Sequence, residues 1–124
     1  MSAAHFPKPT LLHNPKCTKS RAAKALLDER KVDYDERRYL ERPLSAAELG
    51  ELRRRIDRPA RDWVRASEDA FKAAGLSKDS GDDEILAAMA KHPILIERPI
   101  FILDTRAAVG RPTENIEALL DEMD

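Results

Sequence analysis

Apolar residues follow strand-like and helix-like spacings along the chain, and together they predict an α/β fold. The continuous apolar run at residues 100–103 is typical of a strand covered on both faces of a sheet. From Thr113 onward, apolar side chains recur at i, i+3, i+4 and i+7, which predicts a final amphipathic helix. These side chains are Ile116, Leu119, Leu120 and Met123.

Two weaker strands flank a helix in the first third of the chain. Residues 9–13 predict a short strand, and residues 18–30 predict a helix. In residues 32–40, Val32 and Tyr34 alternate with aspartates, which indicates a partly exposed strand. A strand, a helix and a strand in this order predict a parallel pair with a right-handed crossover. The helix is expected to bury the side that carries Ala22, Ala25 and Leu26.

Residues 44–92 predict a block of helices between the second and third strands. The first helix begins at a Ser-x-x-Glu capping box formed by Ser45 and Glu48. The arginine run at residues 53–55 predicts a solvated helix face, and Gly75 is placed to end a later helix. We also expect one helical turn at residues 62–65, a helix capped by Ser67, and a helix capped by Asp82 or Asp83 that runs to Lys91.

The element order predicts one domain, residues 1–124, built from a small α/β core and a helical side-lobe. We expect the core over residues 9–42 and 94–124, and the helical insertion over residues 44–92. Within the core, Thr105-Arg106 predicts the turn of a hairpin whose second strand is residues 107–109.

Composition narrows the possible classes of function. The 124 residues carry 22 Lys and Arg against 23 Asp and Glu, so the basic surface of a nucleic-acid-binding protein is not expected. No apolar run reaches the roughly 18 residues of a membrane span. Residues 1–10 lack the apolar centre of a signal peptide and predict a loosely held tail. One cysteine cannot form an internal disulfide, so we expect a reducing, cytoplasmic compartment.

The single cysteine, Cys17, lies where the first predicted strand gives way to the first predicted helix. Backbone N–H groups at a helix start can stabilise a thiolate or hold an oxyanion. A buried, inert cysteine is the alternative, and these residues alone support both interpretations equally. The polar neighbours that can support the loop or the oxyanion are His13, Asn14, Thr18, Lys19, Ser20 and Arg21.

Four short segments carry a recognisable pattern. Residues 13–21 read His-Asn-Pro-x-Cys-x-x-Ser-Arg, and residues 39–43 read Tyr-Leu-Glu-Arg-Pro. Residues 92–100 read His-Pro-Ile-Leu-Ile-Glu-Arg-Pro-Ile, and residues 110–112 read Gly-Arg-Pro. In this order, and over about residues 11–122, the chain resembles the glutaredoxin-linked arsenate reductase family.

This resemblance implies a thioredoxin-like fold with a mixed sheet and a helical insertion. It implies that Cys17 is the nucleophile and that three arginines hold an oxyanion beside it. Arg98 and Arg111 match the family's two Arg-Pro elements. Arg65 matches the third arginine by its distance from the Gly75-Leu76 pair, with Arg61 as the runner-up. Because the proline before the third strand is commonly cis in this fold, the bond before Pro99 is the expected cis bond.

The resemblance also implies the reaction, which is reduction of arsenate to arsenite. Cys17 forms a covalent adduct with arsenic, glutathione acts as co-substrate, and glutaredoxin completes the reduction without a bound cofactor. Guanidinium groups suit such an anion because they stay charged and bind two oxygens at once. No cluster of residues has metal-ligand spacing. We expect a monomer, since no long exposed apolar stripe is left over.

Three other interpretations can be compared with the residues. A phosphatase-type reductase needs Cys-x5-Arg, but Ala23 stands six residues after Cys17. A regulator that switches through Cys-x-x-Cys is excluded by Ser20, although a binding role is not. A glutathione-dependent reductase of mixed disulfides remains open. The family often reads Cys-Gly-Thr-Ser-Arg, so Thr18 and Lys19 depart from it and leave the substrate open.

Overall fold

The computed structural model describes residue 6, residues 8–103 and residues 106–123. Its strands are β1 (Thr10–Leu12), β2 (Asp35–Arg37), β3 (Ile100–Ile102) and β4 (Ala107–Val109). Its α-helices are α1 (Thr18–Glu29), α2 (Ala46–Ile56), α3 (Asp69–Ala73), α4 (Asp82–Lys91) and α5 (Glu114–Met123). Short 3-10 helices span Ala60–Asp62 and Pro93–Leu95. Most of the expected tail (residues 1–5 and 7), Thr105 of the expected turn and the side chain of Met123 lie outside the described residues.

The strands form one mixed sheet in the order β2-β1-β3-β4. β1 and β2 are parallel, as the strand-helix-strand order predicts. β3 is antiparallel to both β1 and β4, so β3 and β4 form the predicted hairpin. The helices α2, α3 and α4 fall between β2 and β3 in the chain. The arrangement confirms the expected α/β class and its thioredoxin-like mixed sheet with helices inserted before β3.

Alternating side chains of the central strands build two hydrophobic clusters, one on each face of the sheet. Leu11 packs with Leu27 of α1 and with apolar residues of α5. Its neighbour Leu12 belongs to the other cluster, with Leu52 of α2 and residues of α4. Successive strand residues point to opposite faces, so both faces of β3 must be apolar. The run at residues 100–103 is buried throughout, which confirms a strand covered on both sides.

The buried side of α1 differs from the expected one. Few large apolar residues mark this helix, so its periodicity did not define the phase of the buried stripe. Leu26 is only partly buried, whereas Leu27 is fully buried against Leu11 of β1. The expected Ala22 and Ala25 are exposed, and the buried residues are Ser20, Ala23 and Leu27.

In the helical block, α2 begins at the predicted cap, whereas α3 and α4 do not begin at their predicted caps. Ser45 Oγ accepts from the Glu48 N–H at 3.1 Å, and Glu48 Oε1 accepts from the Ser45 N–H at 2.9 Å, which confirms the capping box. Ser67 does not cap α3, because α3 begins one residue later with Glu68 at its N-cap. Gly75 follows α3 with φ +75°, as predicted for a left-handed ending.

The sequence predicted Asp82 or Asp83 as the cap of α4, but Asp82 makes a tertiary contact instead. Gly81 is the N-cap of α4, and Asp82 and Asp83 both lie inside the helix. The Asp82 carboxylate accepts from Arg53 Nε at 2.6 Å and from the Ala60 N–H at 2.9 Å. The helical turn expected at residues 62–65 lies earlier, at Ala60–Asp62, because Val64 forms a β-bridge with Ile96.

The arginine run at residues 53–55 is not a uniformly solvated face. Arg54 is exposed, but the Arg55 side chain is only 4% exposed and pairs with the equally buried Glu51 at 2.9 Å. Arg55 Nη1 also donates to the Leu103 carbonyl at 3.0 Å. This buried pair therefore joins α2 to the end of β3.

Replacing Glu51 with alanine should lower the free energy of unfolding by about 3 kcal/mol, because it leaves the buried Arg55 guanidinium without its carboxylate. Arg54→Ala removes the exposed partner of the same carboxylate and should cost less than about 1 kcal/mol. Urea unfolding followed by circular dichroism measures both changes. Equal losses for the two variants would contradict the role assigned to the buried pair.

Candidate active site

Cys17 occupies the N-cap of α1, with an extended backbone and a partly exposed side chain. The Cys17 N–H donates to the Asn14 carbonyl at 2.9 Å, which turns the preceding loop back on itself. The backbone N–H groups of Ser20 and Lys19 act on the sulfur and favour its thiolate form. The first N–H groups of a helix have no carbonyl partner within the helix and carry the partial positive charge of its start, so the sulfur lies where an anion is stabilised.

The pKa of the Cys17 thiol is lowered from its ordinary value. Burial acts against this shift because it penalises the thiolate, but the N–H groups of Ser20 and Lys19 and the guanidinium of Arg98 outweigh burial. A lower pKa raises the fraction of thiolate at neutral pH. Partial exposure and a stabilised thiolate are features of a nucleophile, not of an inert core cysteine.

The rate at which iodoacetamide alkylates Cys17 should reach half its maximum at a lower pH than the rate for a free cysteine measured alongside, because the pKa of the Cys17 thiol is lowered. The rate falls as the pH falls through the lowered pKa, because the thiolate is then protonated. Arg98→Ala should raise the midpoint, whereas Arg54→Ala, on the exposed side of α2, should leave it unchanged. A midpoint at or above that of free cysteine would contradict the stabilised thiolate.

The buried side chains of Ser20 and His13 fix the loop before Cys17 through hydrogen bonds. The Ser20 hydroxyl oxygen accepts from the Asn14 N–H at 2.9 Å and lies 2.8 Å from Nδ1 of the buried His13. Burial is the main cause that lowers the pKa of His13, so the imidazole is neutral and we assign Nδ1 as the acceptor of the Ser20 hydroxyl proton. The His13 and Ser20 side chains therefore support the loop beneath the sulfur.

The remaining loop residues lie on its outer side. Arg21 donates to the Pro15 carbonyl at 2.8 Å and to the Thr18 hydroxyl at 3.3 Å, so its side chain clamps the loop. The Asn14 carboxamide accepts from the Lys16 N–H at 3.1 Å. The side chains of Thr18 and Lys19 are exposed to solvent.

The two Arg-Pro segments lie side by side next to the cysteine loop. The peptide bond before Pro99 is cis, and so is the bond before Pro112, which the sequence did not predict. The Gly110 N–H donates to the Pro99 carbonyl at 2.8 Å. A Cβ atom on Gly110 would come within 2.9 Å of Pro99 Cγ, so glycine permits this close approach.

Arg98 and Arg111 lie beside Cys17, and Arg65 is connected to Arg111 through Glu97. Arg111 Nη2 lies 3.7 Å from the sulfur, and Arg111 Nε donates to the Arg98 carbonyl at 2.6 Å. Glu97, which the sequence did not single out, connects two of them. Its Oε1 lies 3.1 Å from Arg111 Nε and 3.8 Å from Arg65 Nε. Glu97 is thus a carboxylate within the arginine cluster.

Pairing between the segments at Val64 and Ile96 positions Arg65. The Arg65 N–H donates to the Leu95 carbonyl at 2.7 Å, and Arg65 Nη1 pairs with Glu68 at 2.8 Å. Arg61, the runner-up for the third arginine, is exposed in the 3-10 helix, and its charge acts on Asp82. The structure brings Arg65, and not Arg61, next to Glu97 and Arg111.

Arg98 and Tyr39 face the same site. Among the described residues, no carboxylate pairs with the Arg98 side chain, and its buried Nε atom has no hydrogen-bond partner. Tyr39 is fully buried, and the charges of Arg98, Arg65 and Cys17 all act on its hydroxyl group. Sequence reasoning gave Tyr39 no role, although it stands in one of the four motif segments.

Two other kinds of site were sought in the described part of the chain. No group of three or more His, Cys, Asp and Glu residues is placed there to hold a metal ion. None of the helices described is long and apolar enough to cross a membrane.

Comparisons with known proteins identify relatives of this chain in sequence and in fold. The family model described as the ArsC family matches residues 12–119. An arsenate reductase from Neisseria meningitidis is 43% identical over 117 residues, which cover 93% of this chain and 100% of that protein. The uncharacterized protein YfgD of Escherichia coli is 38% identical over 108 residues, covering 86% of this chain and 91% of that one. The structure of an arsenate reductase from Vibrio cholerae superposes with a TM-score of 0.81 at 37% identity, covering 89% of this chain and 96% of the other.

Proposed function

The chain belongs to the ArsC family, and from this premise we propose that it is an arsenate reductase whose nucleophile is Cys17. One observation carries the proposal. A cysteine with a lowered thiol pKa lies within 3.7 Å of Arg111 and beside Arg98, whose guanidinium has no carboxylate partner among the described residues. A nucleophile beside cations that stay charged suits attack on a tetrahedral oxyanion.

The first step forms a bond between Cys17 and arsenic. The thiolate attacks arsenic(V), an arsenic–oxygen bond breaks, and the oxygen leaves as water after it takes up a proton. Arg98, Arg111 and Arg65 hold the remaining oxygens while negative charge is redistributed. The N–H groups at the start of α1 stabilise the sulfur before attack and the oxygens afterwards.

Reduction of arsenic(V) to arsenic(III) needs two electrons, which two thiols supply when they join as a disulfide. The sequence holds one cysteine, so at least one of these thiols comes from another molecule. We propose glutathione as this thiol: its sulfur displaces a second oxygen from arsenic, and that oxygen leaves as water. A glutaredoxin thiolate then takes the glutathione sulfur into a mixed disulfide, and the electron pair of the broken arsenic–sulfur bond stays on arsenic, which becomes arsenic(III). Water then attacks arsenic(III), the bond to the Cys17 sulfur breaks, and arsenite leaves with Cys17 restored as a thiolate. These thiols require a reducing compartment, which favours the cytoplasm.

NADPH consumption in the presence of arsenate tests the proposed function. The assay contains glutathione, glutaredoxin and glutathione reductase, and a parallel assay replaces them with thioredoxin and thioredoxin reductase. We expect arsenate-dependent consumption in the first assay only. Absence of turnover in both assays would contradict the activity, and turnover only with thioredoxin would contradict the proposed electron donor alone.

A further inference from the structure

Tyr39 carries a buried hydroxyl group without a partner. The residue lies just after β2, and none of its surface is exposed to solvent. No group in the described structure forms a hydrogen bond with its hydroxyl oxygen. The other buried side-chain atom in this condition, among the residues described, is Nε of Arg98. Most buried polar atoms in folded proteins have a hydrogen-bond partner, so two buried atoms without one need an explanation.

These two unpaired atoms, the Tyr39 hydroxyl oxygen and Arg98 Nε, belong to the same site. The Arg98 guanidinium lies near the Tyr39 hydroxyl and lowers its pKa. Arg98 also lowers the pKa of the Cys17 thiol, and the charge of Cys17 raises the pKa of Tyr39. Neither atom satisfies the other by a well-formed hydrogen bond. Leaving buried donors unpaired costs free energy of folding, which a ligand that accepts both donors would recover.

We propose that Tyr39 is a substrate-binding residue, whose phenol O–H donates to one oxygen of a tetrahedral oxyanion while Arg98 Nε donates to another. The proposal rests on the proposed function for the choice of oxyanion. Arg98 acts on the Cys17 sulfur and the charge of Cys17 acts on Tyr39, so an anion held by both donors presents its central atom to Cys17. Tyr39 thus adds a neutral donor to the three arginines.

The protonation state of Tyr39 suits this role. Burial is the main cause that raises its pKa, the thiolate of Cys17 adds to the rise, and the charges of Arg98 and Arg65 oppose it. The result is a pKa of about 12, so the phenol keeps its proton at neutral pH and remains a donor.

Oxyanion binding to the Cys17→Ser variant tests the proposal without a covalent step. Arsenate, phosphate and sulfate are titrated by calorimetry against this variant and against Cys17→Ser/Tyr39→Phe. We expect the Tyr39→Phe change to weaken binding of the best-bound anion at least tenfold. Affinities within twofold of each other, or binding of none of the three anions to Cys17→Ser, would overturn the proposal.

The other tyrosine of the chain provides a matched control. The Tyr34 hydroxyl donates to Asp28 at 2.8 Å and accepts from Lys24 at 3.1 Å, on the outer side of α1. Tyr34→Phe in the same Cys17→Ser background removes the same atom and should leave anion affinity unchanged. Its melting temperature should fall because two hydrogen bonds are lost, whereas Tyr39→Phe loses none and should melt at the same or a higher temperature.

Steady-state kinetics separate this proposal from the proposed function. If the native chain reduces arsenate, Tyr39→Phe should raise KM for arsenate at least tenfold and change kcat less. An unchanged KM would overturn the role of Tyr39 and leave the reductase activity standing. If the native chain does not reduce arsenate, the calorimetric comparison still decides whether Tyr39 binds an oxyanion.

Discussion

Cys17→Ser should reduce arsenate-dependent NADPH consumption at least about a thousandfold, the scale of loss when a nucleophile is removed. A serine hydroxyl is far less acidic than a thiol and is a poor nucleophile at neutral pH, so the covalent adduct that glutathione attacks does not form. The N–H groups at the start of α1 would then face a neutral oxygen. Arsenate would therefore form no covalent bond with the chain.

The structural cost of this substitution should be small. Cys17 is partly exposed, and in the described structure its sulfur meets Arg111 at 3.7 Å outside the start of the helix. The far-ultraviolet circular dichroism spectrum and the melting temperature should match those of the native chain. Turnover by Cys17→Ser with an unchanged fold would contradict the covalent mechanism, even if the chain is an arsenate reductase.

Arg98→Ala should lower kcat/KM for arsenate by about a hundredfold to a thousandfold, because it removes a charged donor aimed at the developing charge. Arg98 also favours the Cys17 thiolate, so its loss acts on both the nucleophile and the oxyanion. Arg98→Lys should recover only part of the activity, since an ammonium group keeps the charge but not the fork of N–H donors. Steady-state kinetics in the coupled assay measure these changes.

Arg61 provides the control for this experiment. It is exposed in the 3-10 helix on the side of Asp82, away from the group that contains Glu97 and Arg111. Arg61→Ala should keep kcat/KM within about twofold of the native value, as expected for an exposed charge outside a site. Full turnover by Arg98→Ala, or a loss in Arg61→Ala as large as that in Arg98→Ala, would contradict the arginine site.

The strand and helix order was readable from the sequence where apolar runs were long or caps were strong. The run at residues 100–103 and the capping box at Ser45 are of this kind, and both are confirmed. The sequence did not show which side of α1 is buried, because alanines on two sides of the helix look alike in the sequence. Packing of Leu27 with Leu11 on one face of the sheet decided which side of α1 is buried.

The polar residues of the helical block show why local patterns fail where long-range partners compete. Asp82 resembles a helix cap, yet its carboxylate binds Arg53, which is 29 residues away in the chain. Arg55 lies in a run that resembles a solvated face, yet Glu51 and the Leu103 carbonyl hold it inside the protein. A charged side chain can be buried when such partners are present, and the sequence does not reveal them.

The sequence by itself determined the position of Cys17 before a helix, the candidate arginines and the expectation of a thioredoxin-like fold. These features depend on local order along the chain and on motif letters. Only the tertiary structure decided that Arg65, and not Arg61, lies near Glu97 and Arg111, and that Tyr39 carries an unpaired hydroxyl beside Arg98. The reason is physical, because hydrogen-bond pairing and electrostatic contact depend on distances between atoms that the sheet brings together from segments far apart in the chain.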